Sequence, residues 1–440
     1  MKIKPIFFTL LLFSFAPLMF AQESMSLNQL IGMGLEQNFS IQIARNTETI
    51  AKNNFTKGNA GYLPSIDLSS RYSGTLNNTT QNLREGGQVI TTDIYNTTAN
   101  AALSLGMTLF DGFNVQTTYK KLDELKQLGE LNTQLSIQNL IADIVSAYSN
   151  YIKQLQVLVN LKYALTLSRE RLRIDEERYL LGSSSKLQVL QSRVYLNADS
   201  SYLSKQYEVV RAAQISLNEL TAPDNLEKTF YPIDSAIIVN QELIYDKLLN
   251  DTYLKNTALE IASKNKSVSA YDYKLIASRS YPYLSFSSGY SYNLNSYSGG
   301  TNLNQQTTGM NYALNLGFNV FDGHNQKRSL NNSSIDMKNK ALKYKEIEQG
   351  IKADLFTIYH AYSNNLRLIK LEEQNLQTAT ENLEIALERY KLGSLSGIDL
   401  REVQKSLLDA RESLISIQYQ TKLAEISLVL ISGNIMDYYK

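Results

Sequence analysis

Few residues of this 440-residue chain have the types and spacing that enzyme chemistry needs. The sequence contains no Cys, which excludes disulfide frameworks, thiolate metal sites and thiol nucleophiles. Its two His residues, His324 and His360, are too few for an imidazole-rich metal site. No Ser/His/Asp arrangement or phosphate-binding Gly loop is visible. We therefore predict a protein that is not an enzyme and that has no catalytic, cofactor-binding or metal-binding residues.

One pair of acidic residues has helical spacing beside a predicted turn. Asp399 and Glu402 are three residues apart and therefore share one face of a helix. If several copies surround an axis, such a pair forms acidic rings, which favour cations at a constriction. A simpler role for Asp399 is to stabilise the start of the helix, because the helix dipole favours an acid in the first turn.

The charge balance excludes nucleic acid as a partner. The chain has 43 Lys and Arg against 42 Asp and Glu, a net charge of +1. A nucleic-acid-binding surface needs a clustered basic excess instead. The 29 Tyr residues suit membrane interfaces and helix seams.

The first 21 residues have the composition of a cleaved secretory signal. Lys2 and Lys4 precede an apolar stretch at 6–20, and the small residue Ala21 leads into polar sequence. The stretch is shorter than the roughly 20 apolar residues that a membrane-spanning helix needs. The rest of the chain has no other apolar run of that length, so entry into a membrane would require strands.

The remaining sequence repeats itself. Phe110-Asp111-Gly112 matches Phe321-Asp322-Gly323, and Glu-Arg-Tyr at 177–179 followed by Leu-Gly-Ser matches the segment that begins at Glu388, both at an offset of 211 residues. Pro64 matches Pro282 at an offset of 218. Matches in the same order along both halves indicate a duplication. We predict repeats at 22–222 and 241–440, joined by a linker at 223–240 that contains two of the few prolines.

Each repeat contains two segments in which apolar and polar residues alternate, the pattern of a strand. They lie at about 65–77, 96–110, 282–294 and 309–321, and each is about as long as a tilted membrane strand. The polar segments 77–94 and 295–308 are predicted to be exposed hairpin loops. A soluble sandwich would also alternate, but four strands offer it little sheet, and about eight are needed to close a barrel. Self-association into a shared barrel resolves this, with the apolar face toward lipid.

Long helices are predicted for the rest of each repeat. Apolar residues recur in steps of three and four through 114–181 and 325–392, which is the pattern of a coiled-coil seam. Shorter return helices follow at about 186–220 and 398–432. Gly182 and Gly393 stand between the paired helices, where glycine ends one helix and a following serine caps the next.

In these motifs and their duplicated order, the chain resembles the TolC family of outer membrane efflux proteins. The resemblance implies a mainly α fold with a transmembrane β part, in which a homotrimer forms a 12-stranded β-barrel in the outer membrane, joined to a periplasmic α-helical barrel. It implies an exit duct of a tripartite efflux or type I secretion system. The implied partners are outer membrane lipid, a periplasmic adaptor (membrane fusion protein) and, through it, an inner-membrane RND or ABC pump, with no cofactor.

The resemblance also assigns roles to residues near the two turns. Asp399 and Glu402 match residues that constrict the pore, and Tyr390 matches a residue that helps to latch the closed end. Gln188 and Leu395 stand where other members have an acidic and a basic latch partner. The residues that match the adaptor-docking tips are Arg178, Gly182, Ser183, Arg389, Gly393 and Ser394.

Two other functions fit parts of the sequence. An exported fibrous or helical surface protein would also combine long helices with strands, but would not need tandem copies of membrane-length strands. A stand-alone passive porin would need the strands and have no use for helices of this length. Cell fractionation distinguishes the first, and dependence on an adaptor the second. The sequence indicates nothing about the transported substrate.

Overall fold

The computed structural model describes residues 23–299 and 302–438, so the predicted signal at 1–21 lies outside the described residues. The first half contains two short elements and a helix pair before its strand hairpin and its two longest helices. In order, these elements are β1 Glu23–Met25, α1 Leu27–Gln37, α2 Phe39–Asn54, α3 Lys57–Ala60, β2 Ser65–Asn82, β3 Gln88–Asp111, α4 Asn114–Leu180 and α5 Lys186–Thr221.

The second half repeats this order. Its elements are β4 Phe230–Pro232, α6 Tyr245–Lys255, α7 Thr257–Ser278, β5 Tyr283–Tyr297, β6 Asn304–Gly317, α8 Asn325–Lys391, α9 Gly397–Ile431 and a short 3-10 helix, Ile435–Tyr438. We call α4 with α5 the first hairpin and α8 with α9 the second hairpin. The long helices α4 and α8 have 67 residues each, which corresponds to a length of about 100 Å.

A four-stranded antiparallel sheet joins the halves in the order β2-β3-β5-β6. The central pairing runs from Asn96 opposite Tyr297 to Asp111 opposite Tyr283. Leu68 on β2 and Tyr312 and Leu316 on β6 belong to the alternating apolar set, and all three are exposed. A sandwich strand would bury this face against a second sheet, so the soluble-sandwich alternative is excluded.

The prediction of exposed loops at 77–94 and 295–308 is wrong for much of both segments. The strand β2 continues to Asn82 and β3 begins at Gln88, while β5 continues to Tyr297 and β6 begins at Asn304. The backbone ladder continues through mostly polar sequence, and the β-branched Thr79 and Thr91 pair across it. The fourth strand also ends at Gly317, earlier than the predicted 321.

The repeated Phe-Asp-Gly motif forms the corner between each strand pair and its long helix. Gly112 and Gly323 have φ of +66° and +69°, in the left-handed region that favours glycine. The carboxylate of Asp111 accepts a hydrogen bond from the Val115 backbone N–H at 3.2 Å, and Asp322 accepts one from Gln326 at 2.7 Å. Each aspartate thus satisfies a free N–H group in the first turn of its helix.

The two corner glycines lead to a matched prediction. A Cβ at Gly112 would collide with the backbone oxygen of Ser278 and lie 2.7 Å from Tyr281 Cβ, whereas the nearest neighbour of a Cβ at Gly323 is 3.7 Å away. We expect Gly323→Ala to cost about 1–2 kcal/mol of left-handed strain. Gly112→Ala should cost more, because a backbone atom must also move. Urea unfolding followed by circular dichroism measures both, and equal shifts in midpoint would contradict the prediction.

The main core lies between the sheet and the tips of the hairpins. It packs α1 and the middle of α4 against the end of α5, with Ile31, Ile141, Ile144 and Leu217 fully buried. The segment 223–240 is packed against this core: Phe230 is buried, and its carbonyl accepts a hydrogen bond from the Tyr151 hydroxyl at 2.8 Å. Among the described residues, no helix combines the length and apolar character that crossing a membrane would need.

Candidate functional site at the helix tips

Both hairpins end in the same backbone motif. We call residues 178–188 the first tip and residues 389–399 the second tip. Gly182 has φ +75° and donates to the Tyr179 carbonyl at 3.0 Å, and Ser183 N–H donates to the Arg178 carbonyl at 2.9 Å. Gly393, with φ +80°, makes the equivalent hydrogen bonds, as does the residue after it. These are Schellman caps, which need a residue that tolerates positive φ.

Most of the residues predicted at the docking tips are open to solvent. Gly182, Ser183, Arg389, Gly393 and Ser394 are all exposed. A Cβ at Gly182 would meet nothing within 4 Å, so the glycine is required by its φ rather than by space in the isolated chain. The two serine hydroxyls donate back to the helix carbonyls of the preceding arginines, each at 3.1 Å.

Arg178 differs from the other predicted docking residues because it links the two tips. Its guanidinium donates to the Tyr390 carbonyl and lies 4.9 Å from the centre of the Tyr390 ring. Arg389 instead donates within its own tip, to the Ser394 carbonyl at 3.4 Å. The two arginines occupy equivalent positions in the repeat but make different contacts: Arg178 binds the opposite tip, and Arg389 binds its own.

A groove of about 530 Å³ separates the tips. Polar groups of Arg178 and Gln188 and the backbone at Gly393 line it. Aliphatic side chains at its rim and at the tips around it are exposed, namely Leu180, Leu181, Leu187, Leu392 and Ile398. Exposed aliphatic residues clustered around a concave polar surface are typical of a protein interaction site.

A buried polar cluster lies beneath this groove. We call it the tip cluster; it consists of Arg171, Asp175, Gln188, Ser192 and Tyr390. The fully buried Asp175 carboxylate accepts hydrogen bonds from the Tyr390 and Ser192 hydroxyls and one from Gln188 Nε2 at 3.4 Å. Arg171 Nε lies 3.9 Å from the same carboxylate. The cluster thus joins α4 and α5 of the first hairpin to α8 of the second.

The electrostatics of the tip cluster keep Tyr390 a hydrogen-bond donor. Burial and the hydrogen bond to Asp175 raise the pKa of Tyr390 above that of a free tyrosine. The ring of Tyr390 is itself fully buried. Gly397 packs closely over the cluster, because a Cβ there would lie 3.1 Å from Arg171 Nη2 and 3.5 Å from the Tyr390 hydroxyl.

The structure places the predicted latch pair Tyr390 and Gln188 in contact, with Gln188 Nε2 3.2 Å from the Tyr390 hydroxyl. Leu395 is partly buried against the apolar cluster that contains Tyr390, so this position packs instead of forming an ion pair. The sequence analysis missed Asp175 and Arg171. The sequence does contain a signal for this pair. Arg171 and Asp175 are four residues apart and interrupt an apolar stripe whose members Leu167 and Ile174 are buried, which indicates a buried ion pair.

A second ionic contact joins the hairpins one turn further from the tips. Both terminal nitrogens of Arg401 on α9 lie 2.8 Å from carboxylate oxygens of Asp199 on α5. This hydrogen bonding raises the pKa of Arg401. Ser168 on α4 also donates to Asp199. The guanidinium carbons of Arg171 and Arg401 lie 4.9 and 5.0 Å from the centre of the Tyr195 ring.

The predicted constriction residues Asp399 and Glu402 are exposed in the first turns of α9. The Asp399 carboxylate accepts from the Ser396 hydroxyl at 2.7 Å, and the Asp399 backbone N–H donates to Ser396 Oγ at 3.1 Å. Asp399 therefore takes part in capping α9. The exposed side of its carboxylate and the exposed side chain of Glu402 remain open to solvent or to another chain.

The chain matches the family model described as "Outer membrane efflux protein" over residues 30–222 and 243–434. It belongs to this outer membrane efflux protein family, whose members are channels. The resemblance to the TolC family is confirmed, and so is the mainly α fold with duplicated halves and a β part.

Solved structures with the same fold include outer membrane channels from three bacteria. The Campylobacter jejuni channel CmeC has a TM-score of 0.78 at 17% identity, with 93% of this chain and 85% of that chain covered. Vibrio cholerae VceC has a TM-score of 0.73 at 17% identity, covering 92% and 96%. The open state of Neisseria gonorrhoeae MtrE gives 0.66 at 16% identity, covering 93% and 89%. No curated protein matches the chain.

Proposed function

We propose that this protein is the outer membrane exit duct of a tripartite efflux or type I secretion system. Three copies would close their sheets into one 12-stranded barrel, and their helical hairpins would form a barrel that extends into the periplasm. The observation that carries this proposal is a four-stranded sheet with exposed apolar side chains, in which β2 and β6 each leave one edge unpaired, attached to hairpins about 100 Å long.

Closure of the sheet follows from the cost of unpaired backbone in lipid. Each unsatisfied N–H or C=O group in the bilayer core costs several kcal/mol. Four strands are too few to close a barrel, so the edges must pair with other copies. Pairing β6 of one copy with β2 of the next is a head-to-tail contact, which closes into a ring when the rotation between copies is a simple fraction of a turn.

The helical hairpins support the same function. A passive porin needs no such helices, and a fibrous surface protein needs no sheet with lipid-facing residues. We propose that the two tips bind a periplasmic adaptor, a membrane fusion protein, that couples the duct to an inner-membrane RND or ABC pump. The equal Schellman caps, the groove between the tips and the exposed leucines around it support this assignment.

Membrane fractionation and cross-linking test the assembly. We expect the chain in the outer membrane fraction, with a lysine-reactive cross-linker giving species of three times the monomer mass. Loss of the protein should raise the intracellular level of a fluorescent efflux substrate by the same amount as loss of the adaptor. A monomer in the soluble periplasmic fraction, or export without any adaptor, would refute the proposal.

We also propose that Asp399 and Glu402 line the narrow periplasmic end of the duct. Six carboxylates around the axis should attract cations and restrict flow. Asp399→Asn combined with Glu402→Gln is expected to lower cation selectivity or raise conductance in planar bilayers. The matched control is Asp409→Asn with Glu412→Gln, two exposed acids with the same spacing further along α9. Unchanged selectivity and conductance in the first variant, or equal changes in both, would count against the constriction.

A further inference from the structure

A groove beside the linker belongs to neither tip. It has a volume of about 950 Å³, and residues of α4, α5 and α9 line it together with the segment 229–235. We call it the linker groove. Its volume falls within the range of small-molecule sites, roughly 300–1,000 Å³. On α4 its lining residues end at Lys162, well before the first tip begins at Arg178, so it is distinct from the surface to which we assign adaptor docking.

Most side chains that line the linker groove are apolar or aromatic. Val159 is 64% exposed there, and Tyr207 and Tyr231 are exposed as well. The aliphatic lining also includes Leu155, Val210, Leu414 and Ile415. A hydrocarbon chain that covered these residues would remove apolar surface from water, which favours binding.

The groove also contains cations that the chain does not neutralise. The Arg211 guanidinium donates to Gln214 Oε1 at 3.0 Å and to the Glu227 carbonyl at 2.9 Å, and both acceptors are uncharged. Lys162 Nζ lies 5.7 Å from the centre of the Tyr207 ring. In the part of the chain that the structure describes, neither cation forms an ion pair.

The single carboxylate among the described residues that line the groove is already engaged. Asp234 accepts a hydrogen bond from the Tyr148 hydroxyl at 2.8 Å. The lining therefore carries two cations against one acid, and the charge of the site is complementary to an anion.

The second repeat shows how the same position looks when it is neutralised. At the 211-residue offset, the counterparts of Arg211 and Gln214 are Lys422 and Glu425. Lys422 Nζ lies 2.9 Å from the Glu425 carboxylate and 4.9 Å from the centre of the Tyr438 ring. The second repeat thus supplies both an acid and an aromatic cover from its own chain. The first repeat keeps the cation but has a neutral amide in place of the acid.

A buried acceptor in the groove has no partner either. Gln156 Nε2 donates to the Ser235 carbonyl at 3.1 Å, whereas Gln156 Oε1 is buried without a hydrogen bond from any described residue. Buried polar atoms in native proteins are rarely left unpaired. A donor on a bound molecule would satisfy this oxygen.

We propose that the linker groove binds a small acidic amphiphile. Its aliphatic body covers Val159 and Val210, its carboxylate or phosphate head pairs with the Arg211 guanidinium, and an amide N–H or hydroxyl donates to Gln156 Oε1. Guanidinium groups bind such oxyanions through strong charge-assisted hydrogen bonds. The site is built within one chain and uses no residue of the tips or of the proposed constriction, so the inference goes beyond the proposed exit duct.

Thiol protection tests whether the groove is open and whether it binds this class of ligand. The natural chain has no Cys, so Val159→Cys provides a single reactive thiol in the full chain, purified in phosphatidylcholine nanodiscs. We expect a maleimide to label it, and N-dodecanoylglycine to slow the labelling about tenfold at saturation. The methyl ester of the same compound keeps the hydrocarbon chain and the N–H but lacks the charge, and it should protect far less at equal concentration.

The matched control for protection is Val194→Cys. This valine lies on α5 outside the groove and is 65% exposed, almost the same as Val159. Its labelling rate should not change with the ligand. Equal protection by the acid and its ester would overturn the proposal. So would failure of Val159→Cys to react in the absence of any ligand, because a protein surface would then cover the groove.

Affinity measurements test the role of Arg211. The chain has no Trp, so Tyr231→Trp places one fluorescent reporter at the groove, and its emission can be titrated with N-dodecanoylglycine. In this background, Arg211→Gln should weaken binding about tenfold or more, because a charge-assisted contact is lost. Lys205→Gln removes an exposed cation from the same helix outside the groove and should leave the affinity unchanged.

A second variant uses the comparison between the repeats. Gln214→Glu gives the first repeat the acid that the second repeat has at Glu425, and it should neutralise Arg211 and weaken binding by a similar factor without removing the cation. Titration with dodecyl phosphate distinguishes the two head groups, and the tighter ligand identifies the head that the site prefers. Unchanged affinity in both Arg211→Gln and Gln214→Glu, or no saturable change in emission with either ligand, would overturn the inference.

Discussion

Replacing Asp175 with alanine is expected to separate the two hairpin tips of each chain and to leave the channel leaky. The variant removes the acceptor for the Tyr390 and Ser192 hydroxyls. It also leaves the Arg171 guanidinium, 2% exposed, without its nearest carboxylate. Breaking one partner of a buried ion pair costs about 3–5 kcal/mol. We therefore expect Asp175→Ala to raise hydrogen exchange throughout the tips and to increase open-channel conductance in bilayers.

Two variants control this prediction, one at the neighbouring Glu176 and one at Asp175 itself. Glu176→Ala removes an exposed partner of Arg193, in which the ion-pair atoms are 2.9 Å apart, and should change stability by about 0–1 kcal/mol. Asp175→Asn keeps the size of the side chain and one acceptor oxygen but removes the charge that faces Arg171, so its effect should fall between the other two. Indistinguishable exchange and conductance in Asp175→Ala and Glu176→Ala would show that the tip cluster does not hold the tips together.

Replacing both tip glycines, Gly182 and Gly393, with leucine is expected to abolish pump-dependent export while trimers remain in the membrane. Each leucine must adopt positive φ at a strain of about 1–2 kcal/mol. A Cβ at either position meets no atom closer than 3.7 Å, so the chain should still fold. The added side chains would instead occupy the surface to which we assign adaptor docking. Export of a fluorescent substrate and the amount of cross-linked trimer are the two measurements.

Gly86 supplies the matched control for the glycine variants. It has φ +83°, and a Cβ there meets nothing within 4 Å, so Gly86→Leu carries the same kind of strain. It lies in the turn between β2 and β3, far along the chain from both tips. Export should remain normal in this variant. Normal export by the double tip variant would refute the docking assignment, and equal loss in Gly86→Leu would attribute the effect to strain alone.

The predictable part of the fold comes from local patterns. The steps of three and four in the long helices and the alternation in the strands depend on residues close together in the sequence, so they could be read directly. The tip glycines were predictable for the same reason, because a helix end followed by Gly and Ser has a local signature. The duplication extended each of these observations to a second copy.

The less predictable part depends on contacts between distant residues. The pairing of Thr79 with Thr91 makes strand out of polar sequence, because ladder hydrogen bonds come from the backbone. Asp175 meets Tyr390 across 215 residues, and no spacing rule connects them. The family resemblance predicts Gln188 as the partner of Tyr390. The acid that accepts the Tyr390 hydrogen bond is instead Asp175, which the fold supplies from the long helix of the first hairpin.

The central ladder between β3 and β5 has a consequence for the order of folding. Its paired residues are separated by both helices of the first hairpin, the linker and the helices α6 and α7 of the second repeat. Closing so long a loop costs entropy before any of its contacts can form, whereas helical hairpins gain contacts locally. We expect the helices to acquire hydrogen-exchange protection first and the four strands last. The chain would then pass through a stage in which its apolar strands are unpaired, so the amount of folded protein should depend on how promptly those strands find their partners.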